Sequence, residues 1–97
     1  MKKLIRIDPA EPGVFDVYTF NNSRYVLNTI DMTLRRHPDE TRSWAEDLQL
    51  GIVHDVVFVR ECIIGSPASV VIRSSRGADS SSVTEWFSSA VTKIFAR

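Results

Sequence analysis

Residues 52–72 read IVHDVVFVRECIIGSPASVVI and contain two apolar runs on either side of Gly65-Ser66-Pro67. The runs are rich in valine and isoleucine, whose branched side chains suit a pleated strand better than a helix. Glycine accepts a positive φ and proline fixes its own φ, so the chain is expected to reverse between them. The stretch therefore predicts a β-hairpin.

Side chains alternate between the two faces of a regular strand, which divides the first run of this hairpin into two sets. One face would carry Ile52, His54, Val56, Phe58, Arg60, Cys62 and Ile64, and the other Val53, Asp55, Val57, Val59, Glu61 and Ile63. Both sets are apolar in the middle, so we expect the strand to be covered on both faces, inside a sandwich or barrel or at an oligomer interface. Two strands alone are not stable in water, so other segments must join them.

The chain has 97 residues, which predicts a single domain, 1–97, with one hydrophobic core. Its 12 basic and 12 acidic residues balance, which argues against broad electrostatic capture of nucleic acid or of a membrane. The basic start is interrupted by Asp8-Pro9, and no uncharged apolar stretch reaches about 18 residues. We therefore expect a cytoplasmic protein with no membrane partner.

Several shorter segments read as strands. Residues 3–7 and 14–20 are rich in strand-forming residues, and the turn-forming residues between 28 and 32 favour a further hairpin of 24–28 and 32–37. Ser43 and Glu46 have the spacing of a helix N-terminal capping box, so a short helix at 43–50 fits, although a structured loop fits nearly as well.

The last segment gives two conflicting signals. Its apolar residues have the spacing of an amphipathic helix, and they are Val83, Trp86, Phe87, Ala90, Val91, Ile94 and Phe95. The residues between them are mostly serine and threonine, which are poor helix formers, so propensity favours a strand. The predicted fold class is mainly β, a small sandwich or barrel of about six short strands. An α+β fold with a C-terminal helix is the alternative.

Four short motifs resemble those of small uncharacterised proteins from actinobacteria and their phages. They are Tyr25-Val26-Leu27, residues 33–38, residues 62–67 and residues 89–94, read as TLRRHP, CIIGSP and SAVTKI after the first. The resemblance departs at Asn28, where aspartate is expected, and at Ala90, where proline is expected. It implies a mostly β fold with a terminal strand and a phage or mobile-element origin, and it implies no activity.

The residue pattern gives little support to an enzyme. Cys62 is the sole cysteine, so no disulfide within the chain is available, and a buried structural thiol is the simplest interpretation. His54 lies eight residues before it, about 26 Å away along an extended strand, so a Cys-His pair would need a sharp bend in the strand or residues from two subunits. One cysteine and two histidines without paired spacing predict no metal site, and no cofactor is expected.

The leading functional hypothesis is a protein-interaction or structural module that self-associates or binds a protein partner. Its possible interaction surface is Arg73, Arg76, Trp86 and Phe87. The alternative is a nucleic-acid-binding β domain that stacks bases on aromatic rings in a basic groove. That hypothesis rests on Arg24, Arg35, Arg36, Arg73 and Arg76, with Tyr18, Tyr25 and Trp44 nearby in sequence.

Overall fold

The computed structural model describes residues 2–37, 53–73 and 83–97, and these contain seven β-strands. The strands are β1 (Lys2–Leu4), β2 (Val14–Thr19), β3 (Arg24–Asn28), β4 (Thr33–Arg36), β5 (Val53–Glu61), β6 (Pro67–Arg73) and β7 (Val83–Ala96). The predicted helix at 43–50, together with Trp44 and Arg76, lies outside the described residues.

The strands form one antiparallel sheet in the order β1-β7-β2-β3-β4-β5-β6. An additional antiparallel pairing between β6 and β7 closes the strands β2 to β7 into a six-stranded barrel. Strand β1 pairs with the last residues of β7 and stands outside this ring. The mainly β prediction is therefore confirmed, with six strands in the barrel and one more beside it.

The predicted hairpin of 24–28 and 32–37 is confirmed as β3 and β4, and Asn28 shapes the turn between them. Its side-chain Oδ1 accepts hydrogen bonds from the backbone N–H groups of Ile30 and Asp31, both at 2.9 Å. Its Nδ2 donates to the Asp31 carboxylate at 3.2 Å. Asparagine satisfies turn backbone in this way because its side chain is short and polar.

The hairpin predicted for 52–72 is also confirmed, as the antiparallel pair β5 and β6. Gly65 has a φ of 98°, a conformation that glycine adopts without steric cost. The N–H of Ser66 donates to the carbonyl of Ile63 at 3.2 Å, which tightens the turn. The segment predicted as a first strand, 3–7, is shorter than expected: β1 ends at Leu4, and Arg6 forms an isolated bridge with Ile63.

The predicted alternation along β5 is wrong because the strand contains two β-bulges. Val56 pairs with Ile72 and Phe58 with Val71, which leaves Val57 as an extra residue. A second shift between Val59 and Glu61 leaves Arg60 extra in the same way. Each extra residue turns the following side chains to the other face.

As a result, the buried residues of this segment are Val56, Val59 and Cys62, spaced by three. Val57 and Phe58 are instead 37% and 47% exposed. Within the described part of this single chain, the barrel therefore covers one face of the strand, and cover of the other face at an oligomer interface stays a prediction. The inner face packs in the core and much of the outer face is open.

The C-terminal segment is a strand, so the helix alternative is wrong. Bulges in β7 explain its helix-like spacing. Val91 pairs with Thr19 and Lys93 with Tyr18, so Thr92 is an extra residue and Val91 and Ile94 both point into the core. A second irregularity lies between Phe87 and Ala90, where β7 has one residue more than β6.

The core fills the barrel interior with residues from every strand of the ring. They are Ile7, Phe15, Val17, Tyr25, Leu27, Leu34, Val56, Val59, Cys62, Ala68, Val70, Ile72, Trp86, Val91 and Ile94. Arg36 also points inward, 2% exposed, and its Nη2 donates to the hydroxyl of Ser23 at 3.1 Å. Such a packed interior leaves the outer faces of the barrel as the surfaces on which a partner can bind.

Candidate interaction surface

Of the residues predicted to form an interaction surface, the three that the structure describes do not share one face of the barrel. Phe87 is 57% exposed on the outside of β7, and Arg73 is exposed at the end of β6. Trp86 is only 6% exposed and packs edge-on against Tyr25, with ring centroids 4.9 Å apart. Its predicted place on the surface is therefore wrong, because adjacent residues of a strand point to opposite faces.

A second exposed aromatic ring lies near Phe87 on the outer face of the barrel. Phe58 of β5 pairs with Val71, and Phe87 of β7 pairs with Ser69, so the two rings flank the central strand β6 from either side. Ser69 and Val71 face outward yet are only 7% and 9% exposed. Phe58 and Phe87 therefore lie on the same outer face of the barrel, one strand to either side of β6.

Charged groups join the two rings. The Nε of Arg60 lies 2.8 Å from a carboxylate oxygen of Glu85, and the hydroxyl of Ser69 donates to the same oxygen at 2.9 Å. The guanidinium carbon of Arg60 is 5.9 Å from the centre of the Phe58 ring, within the range of a cation–π contact. We call Phe58, Arg60, Ser69, Glu85 and Phe87 the β5–β7 patch.

A groove of about 500 Å³ opens beside the patch. Its lining residues include Arg6, Arg60, Glu61, Glu85 and Phe87, together with the backbone turn near Pro9. Both signs of charge therefore occur within one shallow depression with an aromatic wall. Aromatic residues and arginine are enriched at protein interfaces, which fits Phe87, Arg6 and Arg60 in this groove.

Sequence reasoning identified Phe87 and missed Phe58, Arg60 and Glu85. The strict alternation rule put Phe58 on the same face as Cys62, which is buried. No residue type in the sequence indicates the bulges that put Phe58 and Cys62 on opposite faces, because a β-bulge needs only one extra residue and no obligatory glycine.

Cys62 and His54 were considered above as a catalytic pair, and their surroundings do not favour that role. Cys62 is 1% exposed, and burial, with a smaller contribution from Glu61, raises the pKa of its thiol to about 12. Burial lowers the pKa of His54, and the neighbouring Asp55 partly opposes that shift. A protonated, enclosed thiol is a poor nucleophile because the thiolate is the reactive form.

We expect the native Cys62 thiol not to react with Ellman's reagent at a pH about four units below its raised pKa, because only about 1 in 10⁴ molecules carries a thiolate there. Denaturation in guanidinium should expose the thiol, so that one equivalent per chain reacts with Ellman's reagent at once. The Thr84→Cys variant supplies an exposed thiol as a positive control. Rapid modification of the native wild-type chain would contradict this burial.

The arginines and aromatic residues of the nucleic-acid hypothesis are divided by the barrel. Arg36 and Tyr25 are buried inside, whereas Arg24, Arg35 and Tyr18 belong to the outer face of β2, β3 and β4. Arg73 lies apart from them at the end of β6. The four arginines that the structure describes therefore do not form one patch, and Arg76 lies outside the described residues.

Comparison with known proteins adds no relative to this picture: no protein-family model, curated protein or solved structure matches the chain. The resemblance to actinobacterial and phage proteins stays a prediction.

Within residues 2–37, 53–73 and 83–97, no three side chains of His, Cys, Asp or Glu are grouped to hold a metal ion. No helix in this described part is long and apolar enough to cross a membrane.

Proposed function

We propose that this chain is a non-enzymatic protein-interaction module that associates with a second copy of itself through the β5–β7 patch. The observation that carries the proposal is the pair of exposed rings, Phe58 and Phe87, on either side of one strand. Large aromatic side chains contribute most of the binding energy in many interfaces, and here two of them lie on a rigid sheet.

The charges beside the rings favour a second copy as the partner. Arg6 and Glu61 line the same groove and are both exposed, and neither forms an ion pair within the described residues. In a two-fold interface each surface meets an identical one, so a groove with both signs can pair with itself. The zero net charge of the chain also removes general repulsion between copies.

A cytoplasmic location is part of this proposal. The lone cysteine is buried in the core and the chain depends on no disulfide, which suits a reducing compartment.

The double variant Phe58→Ser, Phe87→Ser is expected to dissociate the dimer. Loss of two aromatic anchors should raise the dimer dissociation constant at least about 100-fold, because an interface hot spot contributes about 2 kcal/mol or more. Sedimentation equilibrium on wild type and variant measures this constant directly.

Phe20→Ser is the matched control, since Phe20 is 76% exposed but lies in the turn after β2. It should leave the constant unchanged. A wild-type chain that sediments as a monomer at high concentration would refute self-association. A dimer that survives the double variant would place the interface elsewhere.

A further inference from the structure

A second outer surface of the barrel is centred on the ring of Tyr18. Nη1 of Arg24 donates to its hydroxyl at 3.3 Å, and the guanidinium carbon is 5.9 Å from the ring centre. The ammonium of Lys93 lies 5.2 Å from the same centre. The ring of Phe95 meets it edge-on at 5.9 Å. Two cations and two rings are thus held in one cluster.

The strand register extends this cluster across the sheet. Lys3 of β1 pairs with Phe95, and Arg35 of β4 pairs with Val26 on the same outer face. The two end cations lie on the first and last of five neighbouring strands, and the four spacings of about 4.8 Å between these strands add up to about 19 Å. We call Lys3, Tyr18, Arg24, Arg35, Lys93 and Phe95 the Tyr18 face.

The Tyr18 face has a positive surface charge although the whole chain is neutral. Among residues 2–37, 53–73 and 83–97, the acidic residue in the strand register of this face is Asp16, which pairs with Phe95 and Val26 and is only 4% exposed. Two nitrogens of Arg97 bind its carboxylate, at 2.9 and 3.1 Å. These hydrogen bonds and the adjacent negative charge raise the pKa of the Arg97 guanidinium, which therefore stays protonated beside Asp16.

We propose that the Tyr18 face binds single-stranded nucleic acid. A row of separated cations matches the regular charges of a phosphate backbone, and the aromatic rings and the Arg24 guanidinium offer planar groups against which unpaired bases stack. This surface is distinct from the β5–β7 patch, so the two proposals can fail independently.

The details of the surface favour a single strand over a lipid bilayer or a DNA duplex. Tyr18 and Phe95 are both partly buried, so neither of the two rings is free to insert among lipid tails. Within the part of the chain that the structure describes, it is also the outer face of a sheet, without a helix that could enter a major groove.

The salt dependence of oligothymidine binding tests the proposal. If Lys3, Arg24, Arg35 and Lys93 each neutralise one phosphate, the slope of log K against log salt should be about −3. Affinity for a fluorescein-labelled oligothymidine, measured by anisotropy, should then fall about 300-fold between about 25 and about 200 mM salt. No binding at the lower salt concentration would overturn the proposal.

Variants of single residues test whether the oligonucleotide binds to the Tyr18 face or is attracted by scattered surface charges. Arg35→Ala and Lys93→Ala should each reduce the magnitude of the slope by about 0.7. Tyr18→Leu should weaken binding about tenfold with little change in slope, because base stacking is lost while charge is kept.

Arg73→Ala is the control, since Arg73 is an exposed cation at the end of β6. It should bind like wild type. Equal effects of Arg35→Ala, Lys93→Ala and Arg73→Ala on oligothymidine binding would overturn the assignment. Tighter binding to a duplex or to phosphatidylserine vesicles than to oligothymidine would also overturn it. Circular dichroism on each variant verifies that the barrel is folded.

Discussion

Replacement of Trp86 by alanine is expected to lower the free energy of unfolding by about 3–5 kcal/mol. The indole is 6% exposed and packs against Tyr25 inside the barrel, so its removal leaves a cavity among residues of several strands. In a domain of this size the midpoint of thermal unfolding should fall by about 15 °C or more. Circular dichroism during heating, together with urea titration, measures both quantities.

Phe87→Ala is the control because Phe87 is the next residue on the same strand and points outward. Its removal should change the free energy of unfolding of the monomer by no more than about 0.5 kcal/mol. Similar losses for the two variants would mean that the face assignment of β7 is incorrect. The β5–β7 patch would then lose one of its two rings.

A negative charge at position 59 should lower the free energy of unfolding at least as much as the Trp86→Ala substitution. Val59→Asp is expected to cost about 4 kcal/mol or more, because it puts a carboxyl group without a partner into an apolar core. Expression of folded protein, and the urea midpoint of whatever folds, measure the effect. The milder Val59→Thr variant keeps the experiment informative if the aspartate chain does not fold.

Val57→Asp is the comparison that makes this test specific. Simple alternation puts Val57 and Val59 on one face, but the bulge places Val57 outside with 37% exposure. An aspartate there should cost less than about 1 kcal/mol. If both aspartate variants lost equal stability, the bulge at Val57 would be refuted.

The sequence predicted the hairpins well because their turns depend on local chemistry. Asn28 accepts two backbone hydrogen bonds and Gly65 adopts a positive φ, and both residue types are recognisable from sequence alone. In β2 the residues Phe15, Val17 and Thr19 alternate regularly, share one face and are all buried. Regular strands between clear turns leave little ambiguity.

Prediction was poorer where strands deviate from regular alternation. In β7 the extra residue Thr92 makes Val91 and Ile94 both inward, a spacing of three that imitates one helix face. The same effect in β5 concealed Phe58 as a surface residue. Bulges arise from closure of the barrel, which is a property of the whole sheet and not of any short segment.

The candidate surfaces depend even more on tertiary structure. Tyr18 and Lys93 are 75 positions apart in the chain and meet because β2 pairs with β7. Arg35 and Arg36 are adjacent in sequence, yet one is outside the barrel and the other is buried inside. Clusters assembled from distant strands cannot be read from spacing.

The position of β7 in the sheet also determines how the chain reaches its native state. This strand pairs with β1 and β2, which are more than 70 positions earlier, and with β6. Contacts between distant positions carry a large loop-closure cost and slow the search for the native arrangement. During synthesis the hairpin of β3 and β4 can form early, while the inner faces of β2 and β6 stay uncovered until β7 has been made. Slow refolding in a single phase, and aggregation of nascent chains that lack residues 83–97, are the expected kinetic consequences.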